Sequence, residues 1–212
     1  MSEILQNISE NLQKGKAKIV KELVEQALTD GMSAKEILEN GLLAGMSIIG
    51  NKFKNNEIYI PEVLIAARAM NIGSEVLKPH LAQEGVKTVG KVILGTVKGD
   101  LHDIGKNLVR MMMEGKGLEV IDIGIDVPAE KFIETAKEEN AQIIACCALL
   151  TTTMGEMKTI VEAAKNASIR DKVKIMVGGA PITEEFCNSI GADVYAPDAA
   201  SAAEEAFKIC SK

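Results

Sequence analysis

The chain has 212 residues, of which 47 % are hydrophobic and only 3 % aromatic, with no Trp, so Ile, Val, Leu, Ala and ten Met must fill its cores. That length allows one large domain or two modest ones. A formal charge of -6 without any dense Lys/Arg run argues against a phosphate-backbone partner, and the few aromatics argue against base stacking, so no nucleic-acid partner is expected.

Met1-Ser2-Glu3-Ile4-Leu5-Gln6 lacks a basic region followed by a long apolar one, and no segment approaches the ~18 apolar residues of a membrane span. A soluble cytoplasmic protein without a membrane partner is the expectation. Cys146, Cys147, Cys187 and Cys210 include no C-x-x-C, and the first two are adjacent in an apolar run, as reduced core thiols would be.

From Ser2 to about Gly85 the apolar spacing is helical, as in Ile19-Val20, Leu23-Val24 and Ala27-Leu28. Gly31 closes that helix, and Ser33-Ala34-Lys35-Glu36 fits a capping box that starts the next. This one runs through Leu38, Leu42, Met46 and Ile49 to about Phe53. After the polar turn Lys54-Asn55-Asn56-Glu57, Pro61 is placed to open a further helix carrying Val63, Leu64, Ala67, Met70 and Val76. The expectation for residues 1–85 is a bundle of about four helices. Phe53 and Ile60, with Tyr59 beside the latter, flank the turn, either as a staple that holds it to the bundle or as an apolar lid. His80, on a helix, reads as structural.

Between Glu84 and Lys91 two glycines and mixed charges mark a linker, taken as residues 86–91, and from 92 to 212 strands and helices alternate. The strands are expected at Val92–Val97, Glu119–Ile123, Gln142–Leu149, Lys174–Val177 and Asp193–Tyr195. Five short β runs separated by helical runs imply an α/β domain, a five-stranded parallel sheet with helices on both faces, Rossmann-like or flavodoxin-like. In strand order 2-1-3-4-5 a ligand sits beyond the carboxyl ends of the first and third strands. There the sequence places Gly99, which lets the chain turn, then Asp100-Leu101-His102-Asp103-Ile104-Gly105. It also places Cys147-Ala148-Leu149-Leu150-Thr151-Thr152-Thr153, and Gly178-Gly179 after the fourth strand.

Asp-x-His-x-x-Gly alone is a weak signal, and such a His can be an ordinary loop residue. The Thr run can simply cap a helix. No second ligand of zinc spacing accompanies His102, which could instead be the single axial ligand of a metal already held by a macrocycle. Asp100 would then fix its tautomer and raise its basicity. Neither G-x-G-x-x-G nor G-x-x-x-x-G-K-[ST] can be written here.

Asp100-x-His102-x-x-Gly105, then 41 residues (106 to 146), Cys147-x-Leu149, 28 residues (150 to 177) and Gly178-Gly179, resembles the cobalamin-binding signature of methionine synthase and related corrinoid proteins. With its helical cap, nearly the whole chain resembles the small corrinoid proteins of methylamine, quaternary amine, methanol and aryl methyl ether methyltransferase systems. The resemblance implies cobalamin bound base-off/His-on, with His102 on cobalt, Asp100 behind the imidazole and Thr153 extending the relay. The nucleotide tail would pass Gly105, Leu149, Thr151, Gly178 and Gly179, with Asp103, Ile104 and Thr152 alongside. Phe53 and Ile60, and less closely Val63, match residues that shield the upper face of the corrin, which favours the lid. Cys147 departs from the family's Ser, and a thiol is a weaker partner for the displaced benzimidazole nitrogen.

The function implied is a methyl carrier. Its Co(I) takes a methyl group from a substrate on a substrate:corrinoid methyltransferase and passes it, through a second methyltransferase, to coenzyme M or tetrahydrofolate. A reductive activator of Co(II) is a third implied partner, and the isolated chain is not expected to turn over. The rival expectations are a cobalamin-dependent sensor, an isomerase cobalamin subunit, and a cofactor-free flavodoxin-like interaction module.

Overall fold

The computed structural model describes residues 2–86 and 88–211; Lys87, within the expected linker, lies outside the described residues. The chain divides into two compact units, one formed by residues up to Thr88 with Gly115–Gly117, the other by Val89–Glu114 and the residues from Leu118 onward.

The first unit is helical. α1 (Glu3–Gln13) buries Leu5, Ile8 and Leu12, and α2 (Ala17–Thr29) buries Val20, Val24 and Ala27, the spacing of one helix face. Gly31, at φ +84°, lies just past α2. Ser33 opens α3 (Ala34–Ile37) by accepting the N–H of Glu36 at 3.1 Å. The remaining donors of that turn go to the Glu84 carboxylate, which accepts the N–H of Ala34 at 2.7 Å and of Lys35 at 3.1 Å. α3 runs through a π-helical turn, Leu38–Leu43, into α4 (Ala44–Lys54). α5 (Ile60–Gln83) carries Pro61 in its first turn, where a missing N–H costs nothing. It packs closely: a Cβ on Gly73 would lie 2.8 Å from Leu42 and 3.2 Å from Val20. His80 is exposed in the last turn of α5 rather than built into the packing.

The second unit is a parallel sheet in the order β2-β1-β3-β4-β5. The strands are β1 (Lys91–Thr96), β2 (Glu119–Asp122), β3 (Ile143–Cys147), β4 (Lys174–Gly178) and β5 (Val194–Ala196). In the two central pairs Thr96 lies beside Cys147 and Cys147 beside Gly178, so the three strands end level with one another. α6 (Ile104–Glu114) and α10 (Ala199–Cys210) pack together on one side of the sheet. α7 (Ala129–Glu138), α8 (Gly155–Asn166) and α9 (Glu184–Ile190) cover the other. Ile93, Val97, Phe132, Ile144, Met157, Val161 and Val177 form the core of that second layer. With both faces covered, β1 reads as a continuous apolar run. Both the order and the parallel sense agree with the alternation in the sequence.

Candidate functional site

β1 ends at Thr96, and the loop to α6 turns through Gly99 at φ +79°, a region a side chain rarely adopts. Asp100 follows with a fully buried side chain, whereas Leu101, His102, Asp103, Ile104 and Gly105 are exposed. A buried carboxylate must find donors. Oδ2 accepts the N–H of Leu149 at 2.8 Å, the N–H of Leu150 at 3.2 Å and the Thr153 hydroxyl at 2.9 Å. Oδ1 accepts the N–H of His102 at 3.1 Å and faces His102 Nδ1 at 2.9 Å. Burial opposes the charge, but the Leu149 N–H, the His102 ring and N–H and the Thr153 hydroxyl together hold the carboxyl well below the usual range. An ionised Asp100 can only accept, so Nδ1 of His102 carries the proton that lies between them, and Nε2 is the ring nitrogen left outside that contact, on a ring that is 53 % exposed.

The Thr run does not cap α8. That helix starts after Met154 with no side-chain cap, and the Thr153 hydroxyl lies 2.9 Å from Asp100 and 3.0 Å from the Leu150 carbonyl. Thr153 is buried, and Thr151 and Thr152 are exposed. Asp103 accepts from the Asn107 amide at 3.2 Å, tying the start of α6. Cys147 is half-buried at the end of β3, and burial, with Asp122 and Asp100 nearby and only Lys106 opposing, pushes its thiol up to about 12.

The glycines differ from one another. A Cβ on Gly179, at φ +130°, would sit 1.8 Å from the Ala148 carbonyl oxygen, so the chain there requires glycine whatever is bound. On Gly178 it would come within 3.0 Å of the Ala196 oxygen. On Gly105 it would meet nothing within 4 Å, so Gly105 is not demanded by the protein's own packing and leaves open space at the start of α6.

Ile104 and Leu149, both expected beside the nucleotide tail, are 71 % and 44 % exposed. Several side chains were not singled out from the sequence: Leu101, Ile125 and Leu150 are also exposed, on the three loops that leave β1, β2 and β3. Lys106 is buried and paired with Asp122, which Arg110 also approaches at 3.5 Å. The Thr96 hydroxyl donates to the His102 carbonyl at 2.8 Å, and Asp126 accepts the N–H of Gly99 at 2.6 Å. In the helical unit Ile60 is 39 % exposed, Phe53 half-buried and Val63 fully buried.

Among the described residues no group of three or more His, Cys, Asp or Glu side chains could hold a metal ion. A metal at His102 must therefore bring its other ligands with it. The donor set fits such a group: one directed imidazole nitrogen, an ionised partner behind it, and exposed apolar side chains on the surrounding loops.

Residues 90–207 match the family model described as B12 binding domain, and residues 4–78 match a second model of that description. The chain is 46 % identical over 180 residues to trimethylamine corrinoid protein 1 of Methanosarcina acetivorans, covering 84 % of this chain and 83 % of that protein. It is 44 % identical over 208 residues to dimethylamine corrinoid protein 1 of Methanosarcina mazei, covering 98 % of this chain and 96 % of that one. Its fold matches the methanol:cobalamin methyltransferase complex MtaBC of Methanosarcina barkeri with a TM-score of 0.88 and 29 % identity, covering 99 % of this chain and 80 % of that chain. Among the described residues no helix is long and apolar enough to cross a membrane.

Proposed function

Because the chain belongs to the corrinoid proteins built from B12-binding domains, we propose that it is the methyl-carrier subunit of a methyltransferase system and holds cobalamin base-off/His-on through His102. The observation that carries the reading is the Asp100–His102 contact, which commits Nδ1 to the carboxylate and leaves Nε2 directed away from it. When bound, the corrinoid's cobalt supplies the chemistry, accepting a methyl group as Co(I) from a methylated amine, methanol or a methoxy compound and yielding it to coenzyme M or tetrahydrofolate.

The chain's own residues do four things. His102 supplies an axial ligand in one tautomer. Asp100 orients the ring and makes it more basic, as a carboxylate behind a ligating imidazole does. Thr153 and the two main-chain donors of β3's loop keep that carboxylate ionised. Leu101, Ile104, Leu149 and Leu150 offer apolar contact around the ligand and limit water there. Were the imidazole to leave a bound metal, Nε2 is the ring nitrogen that would be freed, with Nδ1 still held against Asp100. Gly105 leaves room for the nucleotide tail, which would run past Gly178 and Gly179, and Phe53 and Ile60 are the helical unit's candidates for shielding the cofactor.

The proposed partners are a substrate:corrinoid methyltransferase, a corrinoid:coenzyme M or corrinoid:tetrahydrofolate methyltransferase and a reductive activator of Co(II). The relatives' names support amine substrates, and the MtaBC complex supports pairing with a methyltransferase. The test is titration of the chain with hydroxocobalamin, followed by methyl loading in the presence of a trimethylamine, dimethylamine or methanol methyltransferase. One corrinoid per chain, and loading by one of these enzymes, are expected. No binding, or binding and loading unchanged in His102→Ala, contradicts the proposal.

A further inference from the structure

We infer that Thr96 and Asp126 are positioning residues that lock the main chain of the ligand loop, so that His102 takes and releases its metal by side-chain movement alone. The inference rests on the reading of His102 as the axial ligand. A loop between a strand and a helix is ordinarily the mobile part of such a domain. This one is tied on both sides of the peptide that bears the imidazole. The His102 N–H goes to Asp100 at 3.1 Å, and its carbonyl accepts the Thr96 hydroxyl at 2.8 Å.

One step back along the loop, Asp126 makes a second tie from the β2–α7 connection. Its carboxylate accepts the Gly99 N–H at 2.6 Å, and its own N–H donates to the Asp100 carbonyl at 3.0 Å. Asp126 does this at φ +53°, a left-handed conformation that a non-glycine residue holds only when its surroundings enforce it.

Thr96 is suited to the task because the rest of it is already fixed. Its N–H donates to the Gly124 carbonyl and its carbonyl accepts the Val127 N–H, each at 3.0 Å, while β1 pairs it beside Cys147. The residue is 1 % exposed. If the loop moved away, the hydroxyl would be left buried without that partner, which opposes the movement. Asp100 and Thr153 thus act on the imidazole ring, and Thr96 and Asp126 act on the backbone that carries it. The consequence is mechanical. With the main chain held, only the two side-chain torsions of His102 remain free, and the released ring stays poised to return.

The test compares the full-length wild type with Thr96→Val, Thr96→Ser and Asp126→Asn, each reconstituted with hydroxocobalamin and reduced to Co(II). Each protein is grown with ¹⁵N-histidine, so that electron paramagnetic resonance reads histidine ligation through the ¹⁵N doublet on the cobalt lines, distinct from the triplet of the cofactor's own base, and titration reads affinity. Thr96→Val is nearly isosteric and removes only the donor. It is expected to lose a large part of the ¹⁵N doublet and about tenfold or more in affinity, while Thr96→Ser restores both. Asp126→Asn tolerates the left-handed backbone and keeps an acceptor oxygen without its charge, so it should show a smaller loss of the same kind. A Thr96→Val protein with wild-type splitting and affinity overturns the inference, as does a Thr96→Ser protein no better than Thr96→Val. If Thr96→Val does not fold, an Asp126→Asn protein indistinguishable from wild type overturns it instead. A wild type without the ¹⁵N doublet removes the reading of His102 on which the inference stands, an outcome distinct from the others.

Discussion

Asp100 Oδ1 meets His102 twice, accepting its main-chain N–H at 3.1 Å and facing its ring Nδ1 at 2.9 Å. The carboxylate therefore shapes the loop as well as tuning the ring. Asp100→Asn keeps the size but presents an amide to a site built wholly of donors, and should cost about 1–3 kcal/mol of apo stability at neutral pH. The carboxyl is held below its ordinary value, so its charged form stabilises the fold fully above pH ~4, and that contribution drains away as pH falls below ~4. Thermal melts should show the largest wild-type advantage near pH ~7 and a shrinking one toward pH ~3. A gap that stays constant or widens on acidification contradicts the assignment.

Gly179 and Gly105 should respond in opposite ways to alanine. At Gly179 a Cβ would strike the Ala148 carbonyl at 1.8 Å, from a φ of +130°. Gly179→Ala should therefore destabilise the apo protein by several kcal/mol, on the order of the larger single-residue effects. At Gly105 the Cβ meets nothing, and alanine in the first turn of α6 should leave apo stability unchanged or raised by up to ~1 kcal/mol. Hydroxocobalamin titration of Gly105→Ala should nonetheless show weaker binding, because the added methyl occupies space assigned to the nucleotide tail. Undiminished affinity would move the tail elsewhere.

The sheet was legible because a doubly covered parallel strand must be apolar along its length, and five such runs separated by helical ones leave few alternatives. The loop that carries His102 was legible as a place, at the end of β1 beside the end of β3, but not in its contacts. Thr96 looked like the end of an apolar strand; its bond to His102 exists only because Gly99 turns the loop back. Asp126 arrives from another connection in a left-handed conformation that no periodicity encodes. In the helical unit the same limit appears at Ser33, whose turn is completed by Glu84, a residue about fifty positions away. Sequence periodicity reports which side chains are buried, while these contacts depend on where separate loops meet.

Cys147 should behave as an unreactive thiol despite being only half-buried. Burial first, then the negative charges of Asp122 and Asp100 against a single opposing Lys106, push it up to about 12. At pH 8 the neutral thiol predominates. Iodoacetamide at pH 8 should therefore label Cys147 far more slowly than a free thiol, as peptide mass spectrometry over a time course would measure. Labelling at the rate of an unperturbed cysteine would show that the thiol is not held in its neutral form.

Ligation of cobalt by His102 Nε2 is read by growing the protein with ¹⁵N-histidine, loading it with hydroxocobalamin and reducing it to Co(II). The nitrogen splitting should be the doublet of ¹⁵N in place of the triplet of ¹⁴N, and the doublet should vanish in His102→Ala. A triplet that survives the labelling would mean that the axial nitrogen belongs to the cofactor's own base and that His102 is not the ligand.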